Sequence, residues 1–145
     1  MSGFLGTSAT TLNDITLVFQ IAVLVVLLFG FKFAKDKKFM SHGRVMGTAT
    51  ILHVISTFAV MIPSFATNLP LMATPTPGVI VTWLHIIAGI TAESIALAIV
   101  FLWGFKPPPE MTCPKRKKFM RPLLAFWTTA AILGIAFYYY YYILP

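Results

Sequence analysis

Charge is scarce in this chain and acid is scarcer: 10% of its 145 residues are charged, with eleven Lys and Arg against four Asp and Glu. A soluble domain carries roughly a quarter of its residues as charges, so this composition excludes a protein built to dissolve in water. The single cysteine, Cys113, excludes an internal disulfide and says nothing about redox compartment. No Lys or Arg precedes Lys32, so the first apolar run lacks the charged n-region of a cleavable signal peptide and is expected to stay as a mature helix. Also missing are an HExxH motif, a phosphate-binding glycine loop, a Ser, His and Asp set and a second acid level with Glu93. No enzyme is expected, and no internal repeat relates the two halves.

Apolar residues fill the space that charge leaves, at 58% of the chain. Spanning the ~30 Å hydrocarbon core takes about 20 helical residues at ~1.5 Å each, and four stretches meet that need. The expected fold is an all-α, four-helix antiparallel transmembrane bundle. Residues 1–145 form one membrane domain, with helices at about 11–33, 43–65, 79–105 and 121–144. Thr11 to Asp14 offer side chains to the first free N–H groups of helix 1, and Lys32, Lys35, Lys37 and Lys38 end it. Pro63 sits near the far end of helix 2, where a lost backbone bond costs least. Residues 67–78, with Pro70, Pro75 and Pro77, read as a turn. Lys106 and Pro107, Pro108 and Pro109 close helix 3, and Pro122 suits a first turn of helix 4.

All eleven cations fall in two clusters, at residues 32–44 and 106–121. Four crossings place both clusters on one side, and the positive-inside rule makes that side cytoplasmic. Lys35, Lys37 and Lys38 with Lys115, Arg116, Lys117 and Lys118 are the topology anchors. Both termini and the proline-rich turn are then outside, in a multi-pass protein of the cell (plasma) membrane. The net charge of +7 therefore reports orientation. Nucleic acid, which needs a folded basic surface, is excluded as a partner. Tyr138, Tyr139, Tyr140, Tyr141 and Tyr142 read as an aromatic belt at the outer interface. Gly43 and Gly47 on helix 2, and Ala88, Ala92 and Ala96 on helix 3, are small residues at the spacing that lets helices approach.

Five ionisable side chains near the lipid zone are not topology anchors: Asp14, His42, His53, His85 and Glu93. The dipole of helix 1 accounts for Asp14 in its first turn. Centring helices 2 and 3 in the bilayer puts His53 about 3 Å and Glu93 within about 2 Å of the midplane, both on the inner side. A lone carboxylate there costs at least a few kcal/mol, so Glu93 is expected to face protein, either neutral or hydrogen-bonded, with His53 as partner. His42 and His53 are eleven residues apart and can look into one crevice. His85 lies about 10 Å outward of the midplane. Three histidines at three depths fit neither a bis-histidine heme nor a tight metal site, so no cofactor is expected. Heme or copper bound through His42, His53 or His85 is the competing reading.

From helix 2 onward the chain resembles the four-helix membrane family of the heme–copper oxidase assembly factor CtaM. The resemblance rests on Ser41-His42-Gly43-Arg44-Val45-Met46, where a His is followed four residues later by Met, and on His85 within Trp83-Leu84-His85-Ile86. On helix 4 it rests on Arg121, Trp127, Gly134 and Tyr138 at their joint spacing. The family pattern has two further histidines, where this chain has Pro63, Ser64 and Phe65 on helix 2 and Arg116 before helix 4; His53 is this chain's own addition. The resemblance implies an accessory subunit or assembly factor of a membrane metalloenzyme, a heme–copper oxidase first. A copper membrane monooxygenase of the ammonia or methane type is the second candidate host. Partners are then the bilayer and other membrane subunits. The host's identity, the stoichiometry and permanent versus transient association are not written in the sequence.

Overall fold

The computed structural model describes residues 3–103 and 113–144. The chain is an all-helical antiparallel bundle with four helices long and apolar enough to cross a membrane: Thr11–Lys35, Phe39–Thr67, Pro77–Phe101 and Lys118–Tyr142. Lys106 and Pro107 to Pro109 lie outside the described residues.

Helix α1 spans Thr11–Lys35. Its N-cap is Thr10, one residue before the expected capping group, and the Thr10 side chain accepts from the Asn13 N–H. At the other end the Lys38 N–H bonds the Phe33 carbonyl and the Lys37 N–H bonds that of Ala34. This is a Schellman closure, made with Lys37 rather than glycine at φ 58°. The reversal is so short that α2, Phe39–Ser56, begins about a turn before the expected helix 2.

The second span contains a π-helical turn, Thr57–Met61, and then continues as α3, Ile62–Asn68. The Ile62 N–H reaches back five residues to the Thr57 carbonyl. Pro63 follows at once, and a proline ring crowds the carbonyl four residues before it. A widened turn relieves that crowding without ending the helix. Most of the expected turn at 67–78 is therefore helical. A 3-10 segment, Leu69–Ala73, follows α3, and α4, Pro77–Trp103, starts with proline in the N1 position that suits it. Thr76 caps α4, its hydroxyl accepting from the Val79 N–H at 3.3 Å.

The last helix, α5, spans Cys113–Tyr142 and carries Pro122 inside it. It starts two turns earlier than expected: Lys, Arg and Met at 115–120 are good helix formers, and Pro114 occupies the first turn in place of Pro122. The side chains of Cys113, Lys115, Arg116 and Lys117 lie outside the described residues. Packing is closest within two hairpins, α1 with α2 and α4 with α5, and sparser between them. One apolar core joins all four spans, built from Val23, Leu27, Ala49, Ala92, Ala96, Leu123 and Trp127. The expected alanine ridge on α4 is buried at all three positions. On α2 only Gly47 of the glycine pair is buried; Gly43 is exposed.

Candidate functional site

Each seam between neighbouring spans carries a polar bond made by one of the ionisable side chains or by a tyrosine. Between α1 and α2, His42 Nδ1 lies 2.8 Å from the Gly30 carbonyl oxygen. Between α2 and α4, His53 Nδ1 lies 2.5 Å from Glu93 Oε2. Between α4 and α5, His85 Nδ1 lies 2.8 Å from the Ala130 carbonyl oxygen. Between α5 and α1, the Tyr138 hydroxyl donates to Asp14 Oδ1. A carbonyl only accepts, so His42 and His85 must both carry their proton on Nδ1.

Glycine makes two of these approaches feasible. A Cβ on Gly134 would stand 3.0 Å from His85 Cε1, and one on Gly30 would overlap Met46 Sδ. Neither seam would close around a larger residue without moving its histidine or its methionine. His42 and His53 do not share a crevice: the first bonds Gly30 on α1 and the second Glu93 on α4.

His53 and Glu93 join the two hairpins, with side chains 12% and 14% exposed. The indole of Trp127 stands edge-on to the His53 ring, centroids 5.3 Å apart, so three spans meet at this level. Glu93 Oε1 is buried with no hydrogen-bond partner among the described residues. Gln20 on α1 is a participant that the sequence did not reveal, its amide donating to Ser56 Oγ on α2 at 3.1 Å. Replacing Glu93 with Gln is expected to leave insertion and fold nearly intact. Leu at this position is expected to weaken helix association by about 1–2 kcal/mol, the upper range for interhelical hydrogen bonds in membranes. Unfolding of both variants in mixed micelles measures the difference.

At the bundle end where α1 begins, more than a helix dipole holds the acid. Asp14 is fully buried, accepting from the Leu5 N–H at 2.8 Å as well as from Tyr138. The N-terminal segment thus folds over the bundle end, where the Thr7 hydroxyl meets that of Tyr138 at 2.8 Å. The Asn13 amide donates to the Tyr142 hydroxyl at 2.7 Å. The tyrosine run is accordingly divided. Tyr139 and Tyr140 are exposed in the manner of an aromatic belt, whereas Tyr138 is buried, because five consecutive residues wrap the helix and one of them must face inward.

Among the described residues no group of three or more His, Cys, Asp or Glu is arranged to hold a metal ion. The described groove lined by Val25, Leu28, Phe29 and Lys32 opens on the outside of α1, away from the polar seams. No family model, curated protein or solved structure matches the chain.

Proposed function

We propose that this chain is a non-catalytic accessory subunit or assembly factor of a membrane metalloenzyme, a heme–copper oxidase first and a copper membrane monooxygenase second. One observation carries the reading: the ionisable side chains of the interior are spent on bonds between the chain's own helices, one at every seam. The positions on which the family resemblance rests belong to the same framework. His42, Trp127 and Tyr138 are buried, and His85 bonds α5 beside Gly134. On this reading, what the chain would share with oxidase assembly factors is the scaffold. Its outward faces are apolar, with Phe58, Ile87 and Ile90 at least 60% exposed, and meet lipid or the helices of a host.

A second reading has an observation of its own. With Nδ1–H given to a backbone carbonyl, the lone pair of a neutral ring at His42 or His85 would sit on Nε2, the arrangement that orients histidine ligands of metals and heme. An optical spectrum with metal analysis of the purified chain separates the two. The accessory reading expects no Soret band and no stoichiometric copper. A Soret band abolished by substitution of His42, His53 or His85 would replace it with a b-type cytochrome.

For orientation, we propose that both basic clusters face the cytoplasm of a plasma membrane and that both termini face out. Cys113 is then expected to resist an impermeant thiol reagent in intact cells and to react after permeabilisation. Ready labelling of intact cells would invert the topology.

A further inference from the structure

The orphaned oxygen of Glu93 decides how the His53–Glu93 pair holds its proton. Two arrangements without net charge place a hydrogen between Nδ1 and Oε2; a third, a neutral imidazole giving Nδ1–H to a carboxylate, buries a net negative charge in the membrane. In the first, an imidazolium donates to a carboxylate. In the second, a neutral carboxylic acid donates to a neutral imidazole.

The ion pair leaves both partners incomplete. A carboxylate offers about four lone-pair sites and an imidazolium two N–H donors. Here one bond joins the two groups. Glu93 Oε1 is buried without a donor, and His53 Nε2 makes no hydrogen bond to a described residue. Neither the Ser56 hydroxyl nor the Trp127 indole N–H bonds Glu93, and five further polar side chains on these spans donate elsewhere. The Gln20 amide is given to Ser56, Thr50 to the Met46 carbonyl and Thr57 to Met61 Sδ. Thr91 is given to the Ile87 carbonyl and Thr128 to that of Leu124. His85, the other titratable group of this interior, points its Nδ1–H at α5. A buried ion pair holds its charges only when further hydrogen bonds satisfy the remaining sites, and near a bilayer midplane no water substitutes for them.

The neutral arrangement leaves His53 Nε2 as it is and removes the charge from the unpaired carboxyl oxygen. Protonated on Oε2, Glu93 donates to His53 Nδ1, and Oε1 becomes a carbonyl-like oxygen whose lack of a partner matters far less than that of a charged one. His53 then carries its own hydrogen on Nε2, the tautomer opposite to that of His42 and His85. We infer that Glu93 and His53 form an intramembrane proton-holding site: one dissociable proton is stored on Glu93, at the junction of the two hairpins, with no net charge. Loss of that proton would leave a carboxylate with no donor for one oxygen, so occupancy of the site is coupled to how the hairpins pack. The inference does not depend on which host complex the chain serves.

Infrared difference spectroscopy of the full chain in lipid nanodiscs, wild type against Glu93→Gln, reads the proton directly. The expected result is a protonated-carboxyl carbonyl band that shifts in deuterium oxide and is lost in the variant. Nitrogen NMR of histidine-labelled wild-type protein, with His53 assigned by His53→Gln, is expected to show a neutral ring protonated on Nε2 alone. If Glu93→Gln fails to insert, the wild-type nitrogen spectrum decides by itself. Carboxylate bands from Glu93, or a His53 ring protonated on both nitrogens, would overturn the proposal.

Discussion

Trp127→Ala is expected to destabilise the bundle by about 3 kcal/mol, the low end of the range for removing a buried Trp from a packed core. The low end applies because lipid tails are as apolar as the protein interior, so the lost energy is packing and not transfer from water. Trp127 is only 3% exposed, lies in the core cluster shared by all four spans and stands against the His53 ring. Its removal opens a void beside the His53–Glu93 link between the hairpins. The loss should show as a lower midpoint in mixed-micelle unfolding followed by circular dichroism. Phe at the same position should recover more than half of it. If alanine and wild type unfold together, the common core of the two hairpins is not where the stability resides.

The second large effect is expected at the opposite end of the molecule. Asp14→Ala removes the acceptor for the Tyr138 hydroxyl and the Leu5 N–H together, and with it a favourable acid in the first turn of α1. Hydrogen bonds to charged groups contribute about 1.5–3 kcal/mol, and an acid near a helix N-terminus adds about 0.3–1 kcal/mol. Leu5 is at the surface, where water replaces the lost acceptor, so a total of about 2–3 kcal/mol is expected. The N-terminal fold over the bundle end should loosen more than the bundle itself, read as faster hydrogen exchange and proteolysis within residues 3–9. Asn at position 14 keeps one of the two acceptor oxygens and should recover only part of the loss. Unchanged exchange in the alanine variant would mean that this segment is held by Ser8, which donates to the Tyr142 carbonyl, and not by Asp14.

How legible the molecule was in its sequence depended on what kind of partner each residue has. The spans were legible because bilayer thickness sets a length and hydropathy marks it. His53 and Glu93 could be paired because both are costly side chains at one calculated depth, and each is the other's most economical partner. His42 and His85 could not be assigned their partners, since backbone carbonyls such as those of Gly30 and Ala130 have no signature in a sequence. Gly30 and Gly134, which admit these histidines, could have signalled close approaches, but glycine is common in membrane helices. Asp14 was read through its own helix's dipole, a local rule. Its burial comes from Leu5 and from Tyr138, the latter 124 residues away, which no local rule reaches. The boundaries slipped where proline was read as punctuation. Pro63 sits after a π turn and Pro122 inside a helix, both accommodated because the preceding turn can adjust.

The outward apolar faces of the four spans suit lipid, and the proposed function adds the helices of a host complex. Copurification from native membranes in a mild detergent, with the bound proteins identified and quantified by mass spectrometry, tests that claim most directly. Near-stoichiometric recovery of subunits of a heme–copper oxidase or a copper monooxygenase is the predicted result. Recovery of the chain alone, monodisperse and carrying its own heme or copper, would contradict it.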